Sequence, residues 1–350
     1  MNPTENALTN MKLDGIIKET HKLPIKNVSM NRSNGVENLM LTSAAFEVSI
    51  YDNNHCNGHL DLMSHFLNKK KGEKEPKDAV TSSCWIRDGK HVAAGDSAGL
   101  IHVISITNSR VMATYDGHSG CKINHLCNLL DSDYFSSTSD DSKKAGSSVI
   151  RIWNSKTHSS LATIHVGAKV TCSLYDHNQK VLYCGDSSGH VMTISVNQDD
   201  PSTEATVIYK FSQSVSSIQN ISKNKFLIHC KHKLHLCQVD NNMLEVKSTL
   251  SFGQRSVGCN YDYHMMDGEL APTFYVAVGT RDAEVLIYRW TAEENKVIKK
   301  LLPPTNKKQG AAAVVKGVAL SHDCKSLMAV SDDGVIWRFV GQEEAGEEQA

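Results

Sequence analysis

The 350-residue chain has no apolar run of membrane-spanning length, about 18 or more residues. It has no excess of either charge. Lys plus Arg number 37 and Asp plus Glu 38, for a net charge of −1, so no global field draws it to nucleic acid or to a membrane surface. Met1 to Met11 lacks the apolar stretch of a secretory signal. Without such a signal, the ten cysteines read as reduced thiols of a cytosolic or nuclear protein. A Gly-x-x-x-x-Gly-Lys-Ser/Thr phosphate loop is missing, and no Gly-x-Ser-x-Gly nucleophile elbow is expected. No nucleophile, base or metal set can be named, so the expectation is a non-enzyme without catalytic residues or cofactor.

What the chain does have is repetition. Hydrophobic residues, at 40%, suffice for a packed core, and the length fits one large all-β domain or two ordinary ones. Short β-branched or apolar runs are broken by Asp, Asn, Ser and Gly. They recur in sets at roughly 40 residues, the length of a four-stranded propeller blade. A turn of small residues, Gly or Ser and Asp marks them: Ala94 to Gly99, Ser137 to Asp141, Cys184 to Gly189, Val278 to Asp282 and Val330 to Gly334. An alternating strand follows each: Leu100 to Ile106, Val149 to Trp153, His190 to Val196, Glu284 to Trp290 and Val335 to Phe339. Two weaker sets span about Ile25 to Leu67 and Ser214 to Leu250. The sets begin near residues 25, 79, 121, 168, 214, 257 and 313. Gly117-His118 and Arg151-Ile152-Trp153-Asn154 match the Gly-His and Trp-Asp landmarks of WD repeats, with Asn for Asp. The fold expected is all-β, a seven-bladed WD-repeat β-propeller. The last set supplies only three strands, so Leu13 to Glu19 is expected to complete it and close the ring without an open edge. The domain reading is a disordered N-terminus at 1–11, a propeller at 12–340 and an acidic tail at 341–350.

Three segments interrupt the pattern. Asn68 to Asp78 is dense in charge and is expected to be a mobile loop; a solvated loop is favoured over a nuclear-localisation signal. Ser142 to Ser148 reads as an insertion within a hairpin of the third blade, and Pro303 to Gln309 as an exposed connection. The densest cluster of metal-ligating types is His229-Cys230-Lys231-His232-Lys233-Leu234-His235-Leu236-Cys237, which invites a zinc reading. On a straight strand Cys230 and Cys237 would point to opposite faces, which favours ordinary blade filling. Cys84, Cys172, Cys184 and Cys324 sit beside strand residues and read as small buried hydrophobes.

Several stretches resemble one family. The last blade reads Gly310 to Lys316, Ala319 to Asp323, then Leu327 to Phe339 with Asp332-Asp333-Gly334-Val335-Ile336-Trp337-Arg338-Phe339. This resembles the closing blade of the embryonic-ectoderm-development / extra-sex-combs family, where Asp-Asp-x-x-Ile-Trp-Arg and an aromatic end the propeller. Lys18 to Pro24 looks like that family's leading segment, His91 to Ile104 like its second blade, Tyr115 to His118 like the Gly-His that follows. Val170 to Asp176 and Leu182 to Gly185 resemble its fourth blade. The likeness covers about Lys12 to Phe339, in order.

The resemblance implies a nuclear subunit of Polycomb repressive complex two, a scaffold and activator of methylation at lysine twenty-seven of histone H-three in gene or transposon silencing. Its implied partners are an Enhancer-of-zeste-type methyltransferase, whose helix lies on one face, the other subunits of that complex and a histone tail. Neither a membrane nor sequence-specific nucleic acid is among them. A propeller of the small-subunit processome in ribosome biogenesis is the alternative, on Arg87-Asp88-Gly89-Lys90 and the Ala-Gly turn after it. In the resembled family a trimethyl-lysine is held at the channel mouth by aromatic faces, one from the inner strand of the first, second and sixth blades. Aligning outward from Pro24, Trp85 and Phe252 puts Lys26, Thr81 and Tyr261 there, with Asn260 where a neighbouring Trp would be and Lys316 where the family has Arg. Only Tyr261 keeps an aromatic face. The mouth is expected to bind a histone peptide, with a three-walled cage absent or rebuilt.

Overall fold

Wherever apolar and β-branched residues alternate between Asp-, Ser- and Gly-rich turns, the chain forms strands. A computed structural model describes residues 2–18, 23–33, 35–54, 60–69, 72–86, 89–118, 120–128, 133–196, 205–222, 224–252, 261–266, 272–304 and 314–341. Its strands make seven four-stranded antiparallel sheets in a ring, a seven-bladed β-propeller.

Blade one is β2 (Asn27–Met30), β3 (Leu39–Ser43), β4 (Glu47–Asp52) and β5 (Asp61–Leu67). Blade two is β6 (Val80–Ile86), β7 (His91–Asp96), β8 (Leu100–Ser105) and β9 (Arg110–Asp116). Blade three is β10 (Ile123–Asn128), β11 (Tyr134–Asp140), β12 (Ser148–Asn154) and β13 (Ser159–Val166). Blade four is β14 (Val170–Asp176), β15 (Val181–Asp186), β16 (His190–Ser195) and β17 (Thr206–Lys210). Blade five is β18 (Val215–Ser222), β19 (Lys225–Cys230), β20 (Lys233–Asp240) and β21 (Met243–Ser251). Blade six is β22 (Tyr261–Met266), β23 (Thr273–Gly279), β24 (Val285–Trp290) and β25 (Asn295–Leu301). Blade seven takes β26 (Val315–Leu320), β27 (Ser326–Ser331) and β28 (Val335–Gly341) from the C-terminal part and β1 (Met11–Lys18) from the N-terminal part.

The Asp of the repeated turn has a local task. Asp96 Oδ1 accepts from the N–H groups of Ala98 and Leu100, each at 2.9 Å. Asp186 does the same for Ser188 at 2.9 Å and His190 at 2.7 Å. Each carboxylate thus satisfies backbone donors that a tight turn leaves unpaired. The turn glycine is required as well. Gly189 has φ +92, and a Cβ there would lie 2.3 Å from the Phe211 carbonyl oxygen. In the last blade Ser331 Oγ takes the role, accepting from Val335 N–H at 3.1 Å.

The WD landmarks meet in one network in blade three. Trp153 Nε1–H donates to Ser137 Oγ at 2.8 Å, and His118 bonds Ser137 Oγ at 2.7 Å and Ser139 Oγ at 2.5 Å. Gly117 leaves room for the indole: a Cβ there would sit 2.4 Å from Trp153 Cζ2. Burial, helped by Arg151, lowers the His118 pKa to about 4, so the imidazole is neutral and shares the two serines without bringing a charge into the core.

The ring closes as the strand count requires. β1 pairs antiparallel with β28 from Met11↔Gly341 to Lys18↔Val335, with a bulge between Leu13 and Gly15. Arg338 ties the joint, bonding Asp14 on β1 and Asn53 Oδ1 of blade one, the latter at 2.9 Å. Trp337 is 2% exposed and Phe339 is equally buried, both in a core cluster with Tyr275 and Leu301 of blade six.

One expectation needs correction. Residues 1–11 were expected to be disordered, yet Pro3–Thr9 form a helix, α1, and Met11 begins β1. Asn2 caps α1 by accepting from Thr4 N–H at 2.9 Å, with Pro3 in the first turn. Leu8, 0% exposed, enters the blade six–seven core. A single buried leucine in a polar segment gives too little periodicity to reveal a helix. The Asn68 to Asp78 segment is also anchored where it leaves β5. Asn68, 6% exposed, donates to Asp78 O at 2.9 Å and Asp96 Oδ2 at 3.1 Å. Of the segments expected to be exposed, the acidic tail from 342 onward and residues 305–309 lie outside the described residues.

Candidate functional site: the central channel

The inner strands β2, β6, β10, β14, β18, β22 and β26 surround a channel with a cavity of about 1410 Å³. All seven blades contribute to its wall, which is rich in Ser and Asn. The wall follows from how each inner strand begins. A buried aliphatic, Ile25, Val80, Ile123, Val170, Val215 or Val315, packs between blades. The small residue of the neighbouring second strand permits this: a Cβ on Gly95 would meet Ile123, one on Gly185 Val215 and one on Gly279 Val315, all closer than 3 Å.

The residue after that aliphatic turns toward the mouth and reaches across to the next blade. Lys26 Nζ donates to Val80 O at 3.3 Å. Thr81 Oγ1 lies 2.6 Å from Ile123 O and 3.1 Å from Gly95 O. Thr171 Oγ1 lies 2.5 Å from Val215 O and 3.0 Å from Gly185 O. These contacts form a girdle of side-chain bonds at the strand-start mouth. Burial, and then Lys122 two blades away, lower the pKa of Lys26.

Lys26, Thr81 and Lys316 therefore share one level, each directly after Ile25, Val80 or Val315. Tyr261 does not. It pairs with Val278, the residue before Gly279, as Ser83 pairs with Ala94, the residue before Gly95. It thus sits two positions deeper than Thr81, and the counterpart of Thr81 is Cys259, outside the described residues. Counting outward from Phe252 assumed a connection of standard length into β22. Asn260 also lies outside the described residues. Tyr261 is 8% exposed, wedged between blades five and six. Its hydroxyl lies 3.3 Å from Ser217 Oγ and its ring meets His229 edge-on at 5.2 Å. Thr81 is a girdle hydroxyl, Lys26 and Lys316 are amines, and Tyr261 offers no open face.

Deeper in, further groups line the channel. His125 accepts from Ser173 N–H at 3.4 Å, and burial lowers its pKa to about 4. Burial also lowers His229 to about 4. Cys84 and Cys127 line the wall from adjacent blades, and burial pushes the Cys127 thiol up to about 12 and Cys84 well above its ordinary value. At these values the thiols are protonated and weak as nucleophiles. Toward the far end, Arg32 of blade one spans blade seven to pair with Asp262 of blade six, and stacks over Tyr263 at 4.8 Å. Asp262 also accepts from Leu320 N–H at 2.8 Å, so this ion pair braces the closing blade. For His125, Cys127 and Asp262 the advance signal was position on an inner strand, which requires the blade phase to be known.

The His/Cys cluster of blade five divides between packing and turn. Because Lys231 and His232 form the β19–β20 hairpin, Cys230 and Cys237 return to the same core cluster, with Cys172 and Phe226, rather than to opposite faces. His235 bonds Thr249 Oγ1 at 2.9 Å and His229 bonds Lys231 O at 3.1 Å. Among the described residues no three His, Cys, Asp or Glu side chains gather as for a metal. A further correction concerns Gly-x-Ser-x-Gly, which does occur twice, at Gly95–Gly99 and Gly185–Gly189. Both lie in hairpin turns between antiparallel strands, β7–β8 and β15–β16. An elbow needs a helix after the turn, and Ser97 Oγ instead accepts from Ala79 N–H at 3.0 Å.

No protein-family model matches the chain, and no curated protein matches it.

Proposed function

We propose that this protein is a non-catalytic nuclear scaffold that binds and activates an Enhancer-of-zeste-type histone-lysine methyltransferase within a Polycomb-type complex. One observation carries the reading: the ordered series of stretches resembling the embryonic-ectoderm-development / extra-sex-combs family, ending in Asp332-Asp333-Gly334-Val335-Ile336-Trp337-Arg338-Phe339. In the propeller that ending forms the turn and third strand of the blade that closes the ring. Trp337 and Phe339 are core residues there and Arg338 is the tie to β1 and blade one. A rigid ring with two faces and a channel suits the holding of several partners at once.

The trimethyl-lysine site of that family is not kept in its usual form. The mouth remains a peptide site, but Lys26 and Thr81 put an amine and a bonded hydroxyl at two of the three positions where a trimethyl-lysine cage needs aromatic faces. Affinity purification of the tagged protein from its own cells tests the reading. Recovery of a histone methyltransferase with its companion subunits supports it. Recovery of pre-ribosomal RNA and its proteins instead would replace it with the processome alternative.

A further inference from the structure

The strand-start mouth carries unbalanced positive charge. Lys26, Lys122, Lys169 and Lys316 stand at the starts of inner strands in blades one, three, four and seven. Inner strands run the same way along a propeller channel, so these amines ring one mouth. The carboxylates opposite those starts are already engaged. Asp96 and Asp186 cap their turns and face His102 and His190. Asp140 accepts from Asn124, Asp332 from Val314 N–H, and Asp333 from Ser331 Oγ. No ion pair to any of the four lysines occurs among the described residues. Burial, and then the charge of Lys122 across blade two, lower the pKa of Lys26.

The channel behind the lysines, with a cavity of about 1410 Å³, has room for an extended peptide chain.

We propose that the strand-start mouth binds an anionic peptide segment, its carboxylate or phosphate side chains held by Lys26, Lys122, Lys169 and Lys316. The polarity is the reverse of a methyl-lysine reader. The inference rests on the mouth itself and stands whether or not the partner is a methyltransferase.

Fluorescence anisotropy with the purified full-length chain tests it. The probes are an octaglutamate peptide, a peptide of equal length with two phosphoserines, a trimethyl-lysine peptide and a single-stranded oligonucleotide. Saturable binding of either anionic peptide is expected, weakening as salt is raised. The better of the two tells carboxylate from phosphate. Lys26→Gln, Lys122→Gln and Lys316→Gln should each weaken it by about two- to five-fold, the worth of one exposed ion pair. Lys296→Gln, exposed on the outer strand of blade six, should leave it unchanged. Because these lysines are at the surface, equal melting temperatures will show that the variants are folded. Tighter binding of the trimethyl-lysine peptide, tighter binding of the oligonucleotide, no binding of either anionic peptide at low salt, or affinity indifferent to the three mouth substitutions would each overturn the proposal.

Discussion

Leu8→Ala separates a docked N-terminal helix from a disordered N-terminus. Leu8 is 0% exposed and packs in the same cluster as Met11, Tyr275, Leu301 and Trp337. The substitution removes three carbons, about 2.4 kcal/mol at 0.8 kcal/mol per buried methylene, before any cavity cost. Buried Leu→Ala changes span about 2–5 kcal/mol. α1 lies at the rim, where its neighbours can close in, so about 2–3 kcal/mol is expected. A seven-residue helix does not persist without tertiary contacts, so the whole segment should release. The Lys299 Nζ to Thr9 O bond at 2.6 Å and the Glu5–Arg289 pair at 3.7 Å would go with it. Being partly exposed, that ion pair adds little. Urea unfolding should show a lower midpoint with a nearly unchanged slope, and amide exchange should speed up across residues 3–9. Asn2→Ala, which removes the cap, should have a smaller effect, about 0.5–2 kcal/mol. A Leu8→Ala protein with the parent's midpoint and exchange pattern would show that α1 does not dock.

Three other outcomes follow from the core. Trp337→Ala should cost about 3–5 kcal/mol, read by the same unfolding assay; an unchanged midpoint would contradict the placement of β28. Gly117→Ala puts a methyl 2.4 Å from Trp153 Cζ2, so overpacking should cost about 1–3 kcal/mol and shift the Trp153 fluorescence; parent-like stability and emission would refute the close approach. His118, His125, His229 and His235 have pKa values lowered to about 4, mainly by burial. Their unfolded value is 6.5, so the unfolded chain binds more protons between these limits. Stability should be full above pH 6.5 and fall as the pH drops toward 4, with about three to four protons taken up on unfolding near pH 5; a flat stability profile over that window would contradict the neutral buried histidines.

Much of the ring was legible because its signals are local and repeated. The turn Asp at 96 and 186 is visible in sequence because a short carboxylate is what unpaired turn amides need, and the missing fourth strand of the last blade pointed to β1. What stayed hidden depends on phase rather than pattern. Tyr261 and Thr81 look equivalent when counted from landmarks, yet they lie two residues apart in register because the connection into β22 differs in length. Arg32 and Asp262 are 230 positions apart, and only the closed ring brings them together. Cys230 and Cys237 share a face because a hairpin intervenes. Likewise Gly95–Gly99 has a catalytic spacing with no helix after it.

Purification of the tagged, full-length protein from its native cells, with identification of what comes with it, bears most directly on the proposed function. A histone-lysine methyltransferase recovered in near-equal amount, its activity on nucleosomes falling when this propeller is removed, is the expected result. A methyltransferase absent from the purified assembly, or one whose activity is indifferent to the propeller, would contradict it.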